Sequence, residues 1–132
     1  MKAVIGPYRK SGDRKVEVDI TSDDVWDLMT TLAYIIIPSL KEYMSQLSGY
    51  PGSLKSEEEW LAIIRKMIWS FEEVLNETHK PDPKFANKDA PFQEWYMEEE
   101  DKQSYAKQIE DYNKEVQSGL DLFAKYYRNL WY

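Results

Sequence analysis

Trp60 and Trp69 fall on opposite sides of one helix, and that pair constrains this chain more than any other feature. Across Trp60–Leu75 the apolar residues Trp60, Ile63, Ile64, Met67, Ile68, Phe71, Val74 and Leu75 recur at i, i+3, i+4 and i+7. At about 3.6 residues per turn they form one stripe, and Trp69 lies roughly 180° from Trp60. One apolar face is enough to join a core. A second large aromatic must therefore pack on another layer, meet a partner or line a pocket.

The rest of the chain sets the layers available. Ser56-Glu57-Glu58-Glu59 precedes that helix as a capping box, with Ser56 accepting from the Glu59 amide while Glu59 reaches back, so a helix is expected over 56–77. Ser22-Asp23-Asp24 starts an earlier helix over 24–47 that Gly49-Tyr50-Pro51-Gly52 stops. Its apolar residues, from Val25 and Trp26 to Met44 and Leu47, cover more than one stripe, which assigns it the central position. Pro38 lies inside it and predicts a kink near Tyr34–Ile37. Residues 101–131 read as one long closing helix, with Tyr105, Ile109, Tyr112, Val116, Leu120, Phe123, Tyr127 and Leu130 along its seam. Gly119 beside that seam costs about 1 kcal/mol of helix propensity against alanine, which close approach of another helix would explain. Between the last two helices, 78–100 is a long irregular loop with Phe85, Phe92, Trp95 and Tyr96 as anchors onto the body. In residues 1–21, Lys2–Ile5 and Lys15–Ile20 flank Gly6-Pro7 and Ser11-Gly12-Asp13, the pattern of a β-hairpin. Two strands alone are marginally stable, so the hairpin must lie on the helices or pair with another chain. The expected fold is mainly α: a single domain over 1–132, a three-helix bundle with a small N-terminal β-hairpin and a long loop before the last helix.

Composition narrows the function classes. With 17 basic and 24 acidic residues the net charge is −7, which argues against general binding to duplex nucleic acid or anionic membranes. The absence of cysteine removes disulfides, thiolate metal sites and cysteine catalysis. The longest apolar run, Leu32–Pro38, is far short of a membrane span of about 20 residues. The polar stretch after Met1 lacks the apolar core of a signal peptide, so an intracellular setting is expected.

The segments Ile5-Gly6-Pro7-Tyr8, Arg14-Lys15-Val16-Glu17-Val18, Asp24-Val25-Trp26, Thr31-Leu32-Ala33 and Pro38-Ser39-Leu40-Lys41 occur in that order. Trp60 through Phe71-Glu72 follows, and Gly119-Leu120-Asp121-Leu122-Phe123-Ala124-Lys125-Tyr126-Tyr127 leads to Leu130-Trp131. In these segments the chain resembles a family of small tailed-bacteriophage proteins. The resemblance implies a phage accessory protein working in the cytoplasm of an infected bacterial host. Relatives often carry an acidic residue and a histidine where this chain has Met29 and Thr30, and His-Gly where it has Ser48-Gly49. Roles that rest on those polar side chains do not transfer.

Catalytic constellations are weak. His79 is the only imidazole, no GxSxG elbow exists, and no GxxxxGK[ST] or GxGxxG motif is present. Carboxylates at Glu72-Glu73 with Glu77, or at Glu98-Glu99-Glu100-Asp101, would suit magnesium, but the paired ExxE spacing of helical nucleotide pyrophosphohydrolases is not reproduced. The bland reading is a solvated helix face and a helix start. The reading is therefore non-enzymatic, with no catalytic residue, metal or cofactor assigned. Two binding functions remain ahead of a magnesium-dependent nucleotide hydrolase. One sequesters a nucleotide-like signal molecule in counter-defence, with Arg9, Lys10 and Arg14 on phosphates and Tyr8 stacked on a base; the bland reading of that segment is a turn and a solubilising edge strand. The other is a protein–protein module, a homo-oligomer or an inhibitor of a host protein, using Trp69, Tyr126 and Trp131. Trp26, Tyr34, Tyr43, Trp95 and Tyr132 complete an aromatic surplus that a small aromatic core would also absorb. Imitation of DNA by acidity calls for a more extreme charge than −7.

Overall fold

The computed structural model describes residues Met1–Trp131; Tyr132, named above with the aromatic surplus, lies outside the described residues. The protein is mainly helical, with a two-stranded antiparallel hairpin followed by four helices. Strands β1 (Lys2–Tyr8) and β2 (Arg14–Asp19) pair with Ile5 opposite Val16 and Ala3 opposite Val18, and a register irregularity falls between Ile5 and Tyr8. Helix α1 (Ser22–Trp26) is a short turn, and α2 (Leu28–Ser45), α3 (Glu57–Asn76) and α4 (Glu99–Tyr126) form the body. A 3-10 turn, Tyr127–Asn129, closes the described chain.

Three expectations need correction. The helix expected over 24–47 is broken at Asp27, whose φ of −131° and ψ of 67° leave the helical region. The Thr31 hydroxyl satisfies a carbonyl at the break, donating to Asp24 O (2.8 Å), and the Thr30 hydroxyl donates to the Asp27 carboxylate (2.7 Å). Pro38 lies inside the uninterrupted helix α2. Its missing N–H frees the carbonyl of Tyr34, a residue exposed enough for water to reach. The central helix is α3, which packs against both α2 and α4. Third, the last helix gives way to the 3-10 turn after Tyr126 instead of running on to 131.

Helix α3 is central because its stripe is the one fully covered. Trp60, Ile64 and Met67 are wholly buried, with Ile68, Leu40 and Tyr126 closing the cluster. Ser56 caps it by accepting from the Glu59 amide at 3.1 Å, while the Glu59 carboxylate reaches back to the Lys55 amide at 2.9 Å. Gly119 is buried where α4 crosses α3. A Cβ there would meet Ser70 Oγ and lie 2.5 Å from the Lys66 carbonyl oxygen, so only glycine permits this approach. The segment between α3 and α4 closes on itself. Trp95 lies 5.1 Å from Phe85 and 5.2 Å from Phe92 between ring centroids, and its indole N–H donates to the Ala90 carbonyl. Three of the four expected anchors, Phe85, Phe92 and Trp95, thus pack on one another, and Tyr96 is exposed.

Candidate functional site

The hairpin is amphipathic, and nothing among the described residues covers its apolar face. Residues directly opposite in an antiparallel pair share a face, so Ala3, Ile5, Val16 and Val18 lie together, with Lys2, Val4, Glu17 and Asp19 on the reverse. Such alternation ordinarily marks one face for a core. Here Ile5 is 56% and Val16 58% exposed, and neither strand packs against any helix. The link to the body is the Met1 ammonium, 2.8 Å from an Asp24 carboxylate oxygen.

The surface continues into the helices. Trp26, at the end of α1, is 91% exposed. The second stripe of α2, Leu28, Leu32 and Ile35, stays open beside Met29 and Tyr34, while Ala33, Ile37 and Leu40 face inward. The two-stripe pattern that marked this helix as central instead leaves one stripe uncovered. The whole chain exposes 10057 Å². A compact monomer of 15.7 kDa exposes about 7,300 Å² by the scaling of surface with mass.

The residues singled out in the sequence separate into different places. Arg9 is engaged with the Asp13 carboxylate, its Nε at 3.1 Å, and Arg14 donates to the Gly6 carbonyl at 2.6 Å with its guanidinium 4.9 Å from the Tyr8 ring centre. Lys15 pairs with Glu17, which leaves Lys10 without an ion pair among the described residues. Hydrogen bonds donated by the Ser11 hydroxyl and by Arg9 hold the Asp13 carboxyl below its usual value. Tyr126 is buried in the core, its ring 5.4 Å from Trp60, so it offers no face to a partner. Trp131 is 73% exposed. Trp69 is half-buried, 5.9 Å from the His79 ring, beside a groove of about 450 Å³ with Arg65, Lys66 and Glu115.

No family model matches the chain, and neither do the characterised proteins and solved structures compared with it.

The acidic candidates resolve into structural roles. Glu73 is buried and accepts from the His79 amide (2.7 Å), the Tyr112 hydroxyl (3.0 Å) and the His79 ring (3.1 Å). Burial opposes its ionisation, but these donors outweigh burial and hold its carboxyl below the usual glutamate value. Burial and the adjacent carboxylate push the Tyr112 hydroxyl up to about 12. Glu77 ends α3 in the left-handed region, φ 47°. Glu99, Glu100 and Asp101 occupy the first turn of α4, where the helix dipole favours them. Among the described residues no group of three or more potential ligands converges as a metal site would require. No described helix is long and apolar enough to cross a membrane.

One feature escaped the sequence reading. Trp60 is wholly buried, and its indole N–H has no hydrogen-bond partner among the described residues. Its ring borders a pocket of about 290 Å³ between the α2–α3 turn, Tyr43 and the C-terminal segment around Asn129 and Trp131. The Gly49-Tyr50-Pro51-Gly52 turn, legible only as a helix stop, forms one wall.

Proposed function

We propose that this protein is a binding module that assembles with a second copy of itself through the hairpin, Trp26 and the open stripe of α2. It acts by binding, without catalysis, in the phage accessory setting that the resemblance implies. The observation that carries this reading is the uncovered apolar face of the hairpin. An isolated two-stranded hairpin is marginal in water, and this one gains no packing from its own helices. A second copy is the companion present wherever the chain is present. A two-fold axis sets the same patch of both copies against each other, so the apolar face of one copy would meet the apolar face of the other. The whole chain exposes about 2,800 Å² more than a compact monomer of its mass, as an open rather than a closed fold does. The nucleotide-sequestering reading at Tyr8, Arg9, Lys10 and Arg14 takes second place, because Asp13 and the Gly6 carbonyl already engage the two arginines.

Sedimentation or light scattering tests the proposal. The wild-type protein should run as a dimer or larger assembly. Val16→Lys with Leu32→Lys, both at exposed positions, should run as a monomer with unchanged helical circular dichroism. A wild-type protein that stays monomeric at high concentration would refute self-assembly. So would a doubly substituted protein that keeps the wild-type mass.

A further inference from the structure

We infer that the groove between α3 and α4 beside Trp69 is a binding site for a planar ring that carries a single anionic group, a phosphate or a carboxylate. The groove is built on α3 and α4, away from the hairpin, Trp26 and α2, so the inference does not rest on self-assembly.

Helical phase assembles the walls. Arg65 and Trp69 stand one turn apart on α3, with Lys66 three residues before Trp69, and all three border the groove. Across from them α4 supplies Glu115 and Ser118, again one turn apart. Gly119 follows directly, buried against Ser70 and the Lys66 carbonyl, so the walls stand beside the tight α3–α4 contact that fixes their spacing. The space measures about 450 Å³, within the ~300–1,000 Å³ of small-molecule sites. Trp69 is only half-buried and the other four residues are exposed, so a ligand can reach every one of them.

The α3 wall donates and the α4 wall accepts. Neighbouring carboxylates on these helices are already taken: Glu72 by Lys41, Glu73 by His79 and Tyr112, and Glu110 by Lys114. Arg65 and Lys66 make no ion pair among the described residues, and Glu115 lines the opposite wall without closing on either cation. Two cations against one carboxylate leave the groove a single positive charge in surplus, in a chain whose net charge is −7. That balance matches one anionic group and disfavours a polyphosphate. A guanidinium holds phosphate or carboxylate in its plane, and the ammonium beside it adds a point charge. The Ser118 hydroxyl donates to the Glu115 carbonyl at 2.7 Å, which leaves its oxygen and the Glu115 carboxylate as acceptors for an amino or hydroxyl group on the ring. The Trp69 ring meets His79 at 5.9 Å, and neither cation lies over it, so its remaining surface is free for a flat aromatic partner. A cationic ligand, which Trp69 and Glu115 alone would favour, is repelled by Arg65 and Lys66. Trp131, the last described residue, borders the separate pocket at the α2–α3 turn and not this groove.

Nitrogen-15 NMR of the Trp69 indole group, assigned with Trp69→Phe, provides the test, with calorimetry for the affinities. One arm uses adenosine and guanosine 5′-monophosphate against adenosine, guanosine and inorganic phosphate. The other uses benzoate and 4-aminobenzoate against benzamide. At least one ringed anion should shift the Trp69 signal saturably and bind about tenfold or more tighter than its neutral counterpart. Success in the first arm alone identifies a nucleotide, and success in the second alone an aromatic acid. Arg65→Gln with Lys66→Gln, both at exposed positions, should erase the preference for the anion while helical circular dichroism is unchanged. Trp69→Ala should weaken binding by about tenfold or more, a loss that stacking of one ring accounts for. Arg9→Ala with Arg14→Ala should leave binding unchanged. Silence of the Trp69 signal to every ringed anion would overturn the site. A neutral counterpart that binds equally well would overturn its anionic character, and inorganic phosphate binding as tightly as the nucleotides would overturn the role of the ring. A loss of binding in the Arg9 and Arg14 variant would place the ligand on the hairpin instead.

Discussion

Replacing Gly119 by alanine tests the contact that sets how closely α3 and α4 approach. Two effects of opposite sign compete. On an isolated helix the change would stabilise by about 1 kcal/mol through helix propensity. In the protein the new Cβ would lie 2.6 Å from Ser70 Cβ and 2.5 Å from the Lys66 carbonyl oxygen, and closer still to Ser70 Oγ. Comfortable contact needs about 3.5 Å, so the helices must part by roughly 1 Å. The hydroxyl of Ser70 can rotate, but the Lys66 carbonyl belongs to the backbone of α3 and cannot. Parting the helices loosens the edge-on Phe71–Phe123 pair, at 5.1 Å, that bridges the same two elements. Overpacking of this kind costs about 1–3 kcal/mol, and the immobile carbonyl places this case at the upper end. The net expectation is a loss of about 2 kcal/mol. In urea, with a slope of about 1–3 kcal/mol/M, the midpoint should fall by about 1 M at unchanged slope and matched protein concentration. Adding Ser70→Ala should recover only part of the loss, because the Lys66 carbonyl remains. A Gly119→Ala protein as stable as the wild type, or more stable, would refute the reasoning.

Tyr112→Phe removes one donor from the buried Glu73 carboxylate and should cost about 1–3 kcal/mol, measured by thermal or urea denaturation. The lowered Glu73 value contributes stability that is present above the usual glutamate pKa of 4.5 and lost as pH falls through the lower folded value. The raised Tyr112 value contributes stability present below 10 and lost as pH rises toward about 12. Tyr112→Phe should therefore flatten the alkaline limb of the stability–pH curve, and an unchanged limb would exclude Tyr112 as its source. Amide hydrogen exchange at Ala3, Ile5, Val16 and Val18 should slow as protein concentration rises, and Leu32→Lys should abolish that dependence. Protection independent of concentration would show that the hairpin is stable within one chain.

The sequence was most legible where a signal is local. The α3 stripe, the Ser56 cap and the alternation of Val16 and Val18 each depend on neighbours a few residues apart, and each gives the element its pattern implies, although the strand ends at Asp19, before Ile20. Legibility failed where a residue's role depends on which layer is missing. Two apolar stripes on α2 are equally consistent with a central helix and with a flanking helix that leaves one stripe for a partner. Periodicity reports how many faces are apolar, not whether the chain supplies covers for them. Tyr126 looked surplus because it sits off the α4 seam, yet the end of α4 turns it onto Trp60. The Trp60 pocket left no linear trace, since its walls come from the ends of α2, the following turn and the C-terminal segment.

The two tryptophans that define α3 thus separate along different lines from those their helical phase implies. Trp69, opposite the core stripe, is half-buried against His79, a contact within its own chain. Trp60, on the core stripe, carries the unmet donor. Burial of a large aromatic ring and satisfaction of its polar edge are independent requirements, and the core meets only the first at Trp60. The same separation applies to the hairpin. Its strands pair in register from Lys2 to Ile5 and again at Tyr8, while its apolar face has no cover among the described residues. In both places the described residues satisfy the backbone and leave one kind of group unmet: an indole N–H inside the core in one case, an apolar face open to solvent in the other. The second, the open apolar face, is the physical ground on which self-assembly is proposed.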